Sequence, residues 1–559
     1  MSQSDISDPA IVHALLDRDP KQPKVWLTLA RMQARQGLPG EAERSFRQAL
    51  KQDDSFDTAR LELAQLLVRN GHPGPGIVQV QRLLEQNPSN AEAWLVAGEA
   101  FRENVQPAEA AMAFARACEI APSHEGAAFA RVGHLLDQGE AEQAQELTKG
   151  YLRARSRTSE QWWHLHVRTQ HVLNGPVAAE TELDKALAVH PESAMLHALL
   201  AKVRHQLGHP SWAGRLIKAA QRENARDAMI LTAAAALRGG SRANEAQSLV
   251  ENRLKRFNNS LIHDAEQSLW LELADCHLSQ GDFPQALKAA KNAQCCQQGA
   301  SALPTRQLID ALLSAGHFDE ALPLIRQMRQ LLPLENRWLA AEATVLRALG
   351  DPAGDALFDI QRLVWIKDMP VQMWQAIQPG LMDELHQAHK GAGFLLDQSL
   401  RGGTQTSTSL LRSTAPATCQ LLDYLLAAVG EYRAQIDRRD DHPLDQRLGG
   451  EPLLVGCWSV KLASGGFHVS HLHSQGTVSS AFYVSLPPGI DDAKPSFKAQ
   501  PGWLALGAPR FPVPGVDATH WVQPRPGRLV LFPSWFWHGT VPFAGEEPRL
   551  SVAFDAIFR

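Results

Sequence analysis

The sequence predicts a multidomain α + β protein, an all-α superhelix of repeated helix pairs running into a C-terminal β domain of short antiparallel strands. Three observations predict it: residues that recur at multiples of 34 over the first 350 positions, a change of texture at Leu453 into short strand-like runs, and three histidines within six positions of "GGFHVSHLHSQG". A chain of 559 residues, 44% hydrophobic and 21% charged, is long enough for two or more domains and ordinary in globular composition.

The repeats come first. Trp26, Trp94 and Trp162 stand at multiples of 34, as do Gly37, Gly71 and Gly139, and Ala42, Ala110 and Ala144; Phe46 pairs with Phe114 and Pro88 with Pro122. An aromatic opens one helix, a glycine sits in the turn, a small residue lets the second helix approach closely, and proline ends it. "AWLVAGEAFRENVQPAEAAMAFARACEIAP" (93–122) shows these positions together. The pattern resembles the tetratricopeptide repeat. It blurs over 150–260 and returns with Trp270, Gly281 and Ala286, then with Gly316 and Ala321. The resemblance implies a solenoid over 1–350 whose groove holds a protein or peptide partner, although the signature residues themselves are packing residues and do not specify the ligand.

Residues 351–445 keep a helical period broken by prolines and by the glycine pair Gly402–Gly403, and are expected to form a helical connector that supports the C-terminal domain. From 446 to 559, "LLVGCWSVKLA", "VSSAFYVSL", "GWLALGAP", "GRLVLFP" and "RLSVAFDAI" read as strands between turn residues. Many short strands without helices suggest a sandwich or barrel, with the jelly roll leading.

Within that domain, strand alternation places His471 and His473 on one face and His468 on the other. Downstream, Gly527-x5-Pro533-x4-His538 mirrors Gly465-x5-His471-x-His473. Together they resemble the ligand motifs of the cupin, or double-stranded β-helix, class, in which a distant histidine joins an HxH pair on one metal. The glutamate that cupins carry after HxH is absent, since Thr477 and Val478 occupy its place. Eleven residues after His538 come Arg549 and, two further, Ser551; a guanidinium fork suits one end of a dicarboxylate whose keto-acid end chelates a metal.

These C-terminal segments, with "DQSLRGGTQT", resemble the bacterial 2OG-Fe(II) oxygenase family found behind tetratricopeptide repeats. The resemblance implies Fe(II), 2-oxoglutarate as cosubstrate and O2, with ascorbate as an accessory reductant. It implies His471, His473 and His538 as metal ligands and Arg549 with Ser551 as the cosubstrate anchor, with no catalytic side chain beyond the ligands. His468 and Trp537 are assigned supporting or substrate-facing roles, Trp535 and Trp537 otherwise being barrel packing. The departure is His473, where most such oxygenases carry a carboxylate; Asp491, Asp492 or Asp517 are the alternatives for completing a triad.

The function expected is therefore a 2-oxoglutarate-dependent dioxygenase acting as a hydroxylase, with the repeats recruiting a protein or peptide. The alternative is a non-catalytic repeat scaffold with a degenerate cupin-like metal domain; a metal-dependent isomerase or cofactor-free dioxygenase would leave Arg549 without use. A net charge of −5, from 55 basic and 60 acidic residues, gives no electrostatic case for nucleic acid. The start "MSQSDISDPAIVHALLDRDP" lacks a basic and an apolar leader region, no long apolar span comes later, and six cysteines are scattered without CxxC spacing. A cytoplasmic location without membrane contact is the expectation.

Overall fold

A computed structural model describes residues 18–154, 159–256, 263–296, 305–390, 399–406, 409–439, 441–474, 476–490 and 500–559, together with Val12, Leu15 and Leu16. The chain divides into two compact units, Met1–Leu173 and Asn174–Arg559.

In the first unit, successive helix pairs start at Pro23, Asp57, Ala91 and Glu125, 34 residues apart, and their second helices start at Pro39, Pro73, Pro107 and Ala141 at the same interval. Proline in the first turn fits because that N–H has no intrahelical partner. Gly37, Gly71 and Gly139 hold the inter-helix turn at φ of 74°, 78° and 77°, and Val105 takes the equivalent place in the third pair at φ 57°. Ala42, Phe46, Ala110, Phe114, Ala144 and Trp162 are all buried. Gly98 is needed for packing: a Cβ there would lie 2.5 Å from the Phe114 ring. The signature residues thus act as inter-helix contacts.

The second unit continues with helices and ends in two antiparallel sheets. The strands are β1 (Trp365–Asp368), β2 (Leu400–Gln405), β3 (Pro452–His468), β4 (Val478–Ser485), β5 (Leu504–Leu506), β6 (His520–Val522), β7 (Arg528–Pro533), β8 (His538–Thr540) and β9 (Arg549–Phe558). One sheet runs in the order β1-β7-β4-β9-β3-β2 and the other β6-β5-β8. Phe482, Phe532 and Phe554 from the larger sheet and Leu504, Leu506 and Val522 from the smaller bury into one core, joined by Leu381 and Leu385 of helix Val371–Ala388 and Leu421 and Leu425 of helix Pro416–Gln435. The stretch expected to be a helical connector therefore also supplies both edge strands of the larger sheet. β1 is only four residues long, and β2 contains the glycine pair that reads as a loop. Among the described residues, no helix is long and apolar enough to cross a membrane.

Helix Asn336–Ala348 belongs to two cores at once. Leu339 and Ala340 pack into the β core, whereas Trp338, Ala341, Val345 and Leu346 pack with the preceding repeat helices. A helix with apolar residues on nearly all sides is held from both sides.

His389, just after helix Val371–Ala388, ties that helix to the sheet. Its Nδ1 lies 2.9 Å from Thr404 Oγ1 on β2 and its Nε2 3.0 Å from Ser459 Oγ on β3. Burial, with Lys461 and His386 adding to it, lowers its pKa from 6.5 to about 4. An unfolded histidine takes up its proton near the ordinary value while the folded one stays neutral, so this contribution is complete above 6.5 and is lost as pH falls towards about 4. In urea titrations across that window the unfolding midpoint should drop with pH, and His389→Gln should flatten the dependence.

Candidate metal centre

β3 ends at His468, and the chain bends through Val469 and Ser470, whose hydroxyl donates to the Ala508 carbonyl. It pairs again at His471 alone: the His471 N–H donates to the His538 carbonyl at 2.9 Å, and the His538 N–H returns the bond to His471 at 2.9 Å. His538 opens β8 in the smaller sheet, so this reciprocal pair joins the end of the larger sheet to the smaller one. Gly539 makes room for it, since a Cβ there would sit 2.8 Å from the His468 carbonyl oxygen.

His471, His473 and His538 are brought together, each offering a ring nitrogen within 4.8 Å of the others. Ring centroids are 4.2 Å apart for His471 and His538, 5.3 Å for His471 and His473, and 5.1 Å for His473 and His538. The Nδ1 atoms are all engaged: His471 with the Val469 carbonyl at 3.0 Å, His538 with the Phe536 carbonyl at 2.9 Å, and His473 with Asp555 Oδ1 at 2.5 Å. Donation from Nδ1–H to these acceptors assigns the lone pair to Nε2, the atom left to bind a metal. Burial, followed by the neighbouring His473, lowers the His471 pKa to about 4, and burial with His471 and His473 holds His538 well below its ordinary value. Both rings are thus neutral donors at neutral pH.

Sequence reasoning does not single out Asp555, yet its carboxylate is hydrogen-bonded to His473. Asp555 lies on β9 opposite Ser479 of β4, whose hydroxyl lies 2.6 Å from Oδ1. Gly476 is packed so closely that a Cβ would come within 2.5 Å of Ser534 Oγ and 3.2 Å of Asp555 Cβ. A signal for it exists: Arg549, Ser551 and Asp555 are separated by even numbers and so share a face of one strand.

The expectation that His468 faces away from the other two fails, because no continuous strand runs through the HxH segment to carry the alternation. The His468 ring lies 5.7 Å from that of His471, with Nδ1 3.0 Å from Ser399 Oγ. It is outside the three-histidine group. Burial, then His471 and Arg549, keeps its pKa well below the ordinary value. Trp537 points to helix Asn336–Ala348, its Nε1 donating to Thr344 Oγ1 at 3.1 Å. Trp535 is buried in the β core. Asp491 and Asp492 lie outside the described residues; among the described residues no carboxylate joins the group, and Asp517 offers its backbone carbonyl to Arg347.

Arg549 is 3% exposed. Its Nη1 donates to the Gly502 carbonyl at 2.9 Å and its guanidinium lies 5.0 Å from the Tyr483 ring centroid, while Nε has no hydrogen-bond partner among the described residues. Burial lowers its pKa, with Tyr483 opposing. Among the described residues no carboxylate forms a salt bridge with it, and a buried cation in that state is costly unless an anion completes it. Ser551, also buried, pairs with Val460 and Tyr483 across its two neighbouring strands.

These features define a β domain that follows the helical repeats in the chain and carries a cluster of three histidines able to hold a metal ion. A family model described as "Putative 2OG-Fe(II) oxygenase" matches residues 456–555, and two tetratricopeptide repeat models match 23–66 and 61–125. The chain carries tetratricopeptide repeats at its N-terminus and a domain of this oxygenase type at 456–555. Among solved structures it is similar to a tetratricopeptide repeat protein from Parabacteroides merdae, at 11% identity and TM-score 0.30, over 52% of this chain and 98% of that one. It is also similar to MamA from Desulfovibrio magneticus RS-1, at 16% identity and TM-score 0.25, over 29% and 92%. A third is YrrB, described as a TPR protein with an unusual peptide-binding site, at 17% identity and TM-score 0.27, over 34% and 96%. No curated protein matches the chain.

Asp555→Asn should keep the shape around His473 but remove the charge behind it. Calorimetric titration with Mn(II) should show affinity reduced roughly ten- to a hundredfold, the usual effect of losing such an outer partner.

Proposed function

We propose that the protein is an Fe(II)- and 2-oxoglutarate-dependent dioxygenase acting as a hydroxylase, with a ferrous ion held by His471, His473 and His538. The observation that carries the reading is the coincidence, in one β domain, of three imidazoles whose Nδ1 atoms are engaged and a buried Arg549 that forms no salt bridge among the described residues. The donor set fits a borderline divalent ion, for which imidazole is a good ligand.

When bound, iron and 2-oxoglutarate supply the oxidative chemistry: O2 is consumed, 2-oxoglutarate leaves as succinate and CO2, and a substrate C–H bond gains oxygen. The chain's own contributions are binding and orientation. The Val469 and Phe536 carbonyls hold two imidazoles in the tautomer that presents Nε2. Asp555 accepts the His473 Nδ1–H, fixes the orientation of that ring and supplies negative charge that a carboxylate ligand would otherwise bring. Arg549 takes the far carboxylate of the cosubstrate, with Ser551 beside it on the same strand face. Phe532, 4.8 Å from the His538 ring, and the buried core behind it keep water from that side.

The repeats are proposed to recruit a protein or peptide substrate, as such surfaces commonly do. Ascorbate would serve only to keep the iron reduced, and a cytoplasmic setting is the one that fits six unpaired cysteines.

Purified protein supplied with Fe(II), 2-oxoglutarate, O2 and ascorbate should form succinate slowly even without prime substrate, and anaerobic 2-oxoglutarate should give the iron form a visible charge-transfer band. His538→Ala should abolish both. Arg549→Ala should raise the 2-oxoglutarate concentration needed by roughly ten- to a hundredfold, from the loss of a charged hydrogen bond of about 1.5–3 kcal/mol. Metal binding with neither succinate nor the band would instead favour a non-catalytic metal-holding scaffold.

A further inference from the structure

We infer that Asn336, at the start of the last long repeat helix, is a positioning residue that fixes the metal-holding loop, so that the centre is assembled jointly by the β domain and the repeats. The inference rests on the reading of His471, His473 and His538 as metal ligands.

Asn336 is fully buried. Its Nδ2 donates to the carbonyl of His473 and to that of Gly476, both at 2.7 Å, from 137 and 140 residues away in sequence. These are both ends of the short segment that leaves the HxH pair and turns into β4. The amide orientation is fixed by the other oxygen: Oδ1 accepts from Arg447 Nη1 at 2.5 Å, and since arginine offers only donors, the NH2 group must face the two carbonyls. Arg447 in turn donates to the Pro333 carbonyl at 3.2 Å and lies 5.8 Å from the Trp535 ring centroid. Burial, with Arg329 adding to it, lowers the Arg447 pKa to about 10, and the guanidinium is held largely by neutral acceptors.

The consequence for the centre is geometric. The His473 backbone is held from two directions: its N–H donates to the Ser534 carbonyl at 3.0 Å, and its carbonyl accepts from Asn336. The ring is then fixed by Asp555. The HxH segment has no continuous strand to define it, and Asn336 replaces the missing ladder on one side. The helix that carries Asn336 is packed into the repeat core through Trp338, Val345 and Leu346, so displacement of that helix is transmitted to the ligand through two hydrogen bonds.

The test uses the full chain and Co(II), whose d–d absorption reports both affinity and geometry. Asn336→Asp keeps the size and the acceptor for Arg447 but sets a carboxylate oxygen against the two carbonyls; Asn336→Ser removes the reach. Both should bind Co(II) at least about tenfold more weakly, with altered d–d bands and unchanged far-ultraviolet circular dichroism. Thr344→Val, on the same helix but bonded to Trp537, should bind Co(II) as the unsubstituted protein does. Equal affinity and spectra in folded Asn336 variants would overturn the inference, whereas no Co(II) binding by the unsubstituted protein would overturn the metal reading beneath it. Hydrogen exchange on the unsubstituted protein needs no variant to fold: Co(II) should slow exchange at the start of helix Asn336–Ala348 as well as in 471–476. Slowing confined to the loop would equally overturn it.

Discussion

The centre depends on one reciprocal backbone pair, His471 with His538. Two hydrogen bonds there do what a long ladder does elsewhere, closing the end of the six-stranded sheet onto the three-stranded one. Because residues directly opposite each other in an antiparallel pair carry neighbouring side chains, the same bonds that stitch the sheets set two imidazoles 4.2 Å apart. Fold closure and placement of two of the three clustered histidines are thus one event. The bend at Val469 and Ser470 lets an isolated pair form where β3 has ended, and Gly539 leaves room for the passing chain.

Charge is the second constraint. Three imidazole ligands would bring no negative charge to a divalent ion, and the surrounding burial makes uncompensated charge expensive. The structure places the carboxylate one step back, on Asp555, hydrogen-bonded to His473 and to Ser479. A carboxylate polarising a ligand imidazole is a recurrent arrangement in metal sites, and at the proposed centre it would keep the anion outside the ligand set but within electrostatic reach. Arg549 presents the complementary problem, a buried cation with no salt bridge among the described residues, and under the proposed function a chelating dicarboxylate would answer both.

The repeats are legible in the sequence because their signature is local: a tryptophan, glycine or alanine at a fixed interval reports helix packing within one or two turns, and the helices of the first unit keep that interval. The β domain is legible in its main strands for the same reason. β1 and β2 are not, since four residues are too few for a period and Gly402–Gly403 signals a turn even where a bulged edge strand is formed. Strand alternation misplaces His468, because it does not carry across a bend. It serves well on β9, where Arg549 and Asp555 lie on one uninterrupted strand and share a face. Asn336 leaves no trace in the sequence, as nothing about an asparagine at a helix start announces partners 137 residues away.

That last contact changes how the chain should be divided. Sequence texture ends the repeats near residue 350, yet helix Asn336–Ala348 closes them and also enters the core of the β domain. Removing it would take Leu339 and Ala340 out of the β core and would strip the His473 and Gly476 carbonyls of their donor. A segment cut at the texture boundary would keep all three ligands and still lack part of what orients them. The repeat core and the geometry of the histidine cluster therefore meet in a single helix, and displacement of the preceding helices has a two-bond path to the His473 and Gly476 carbonyls.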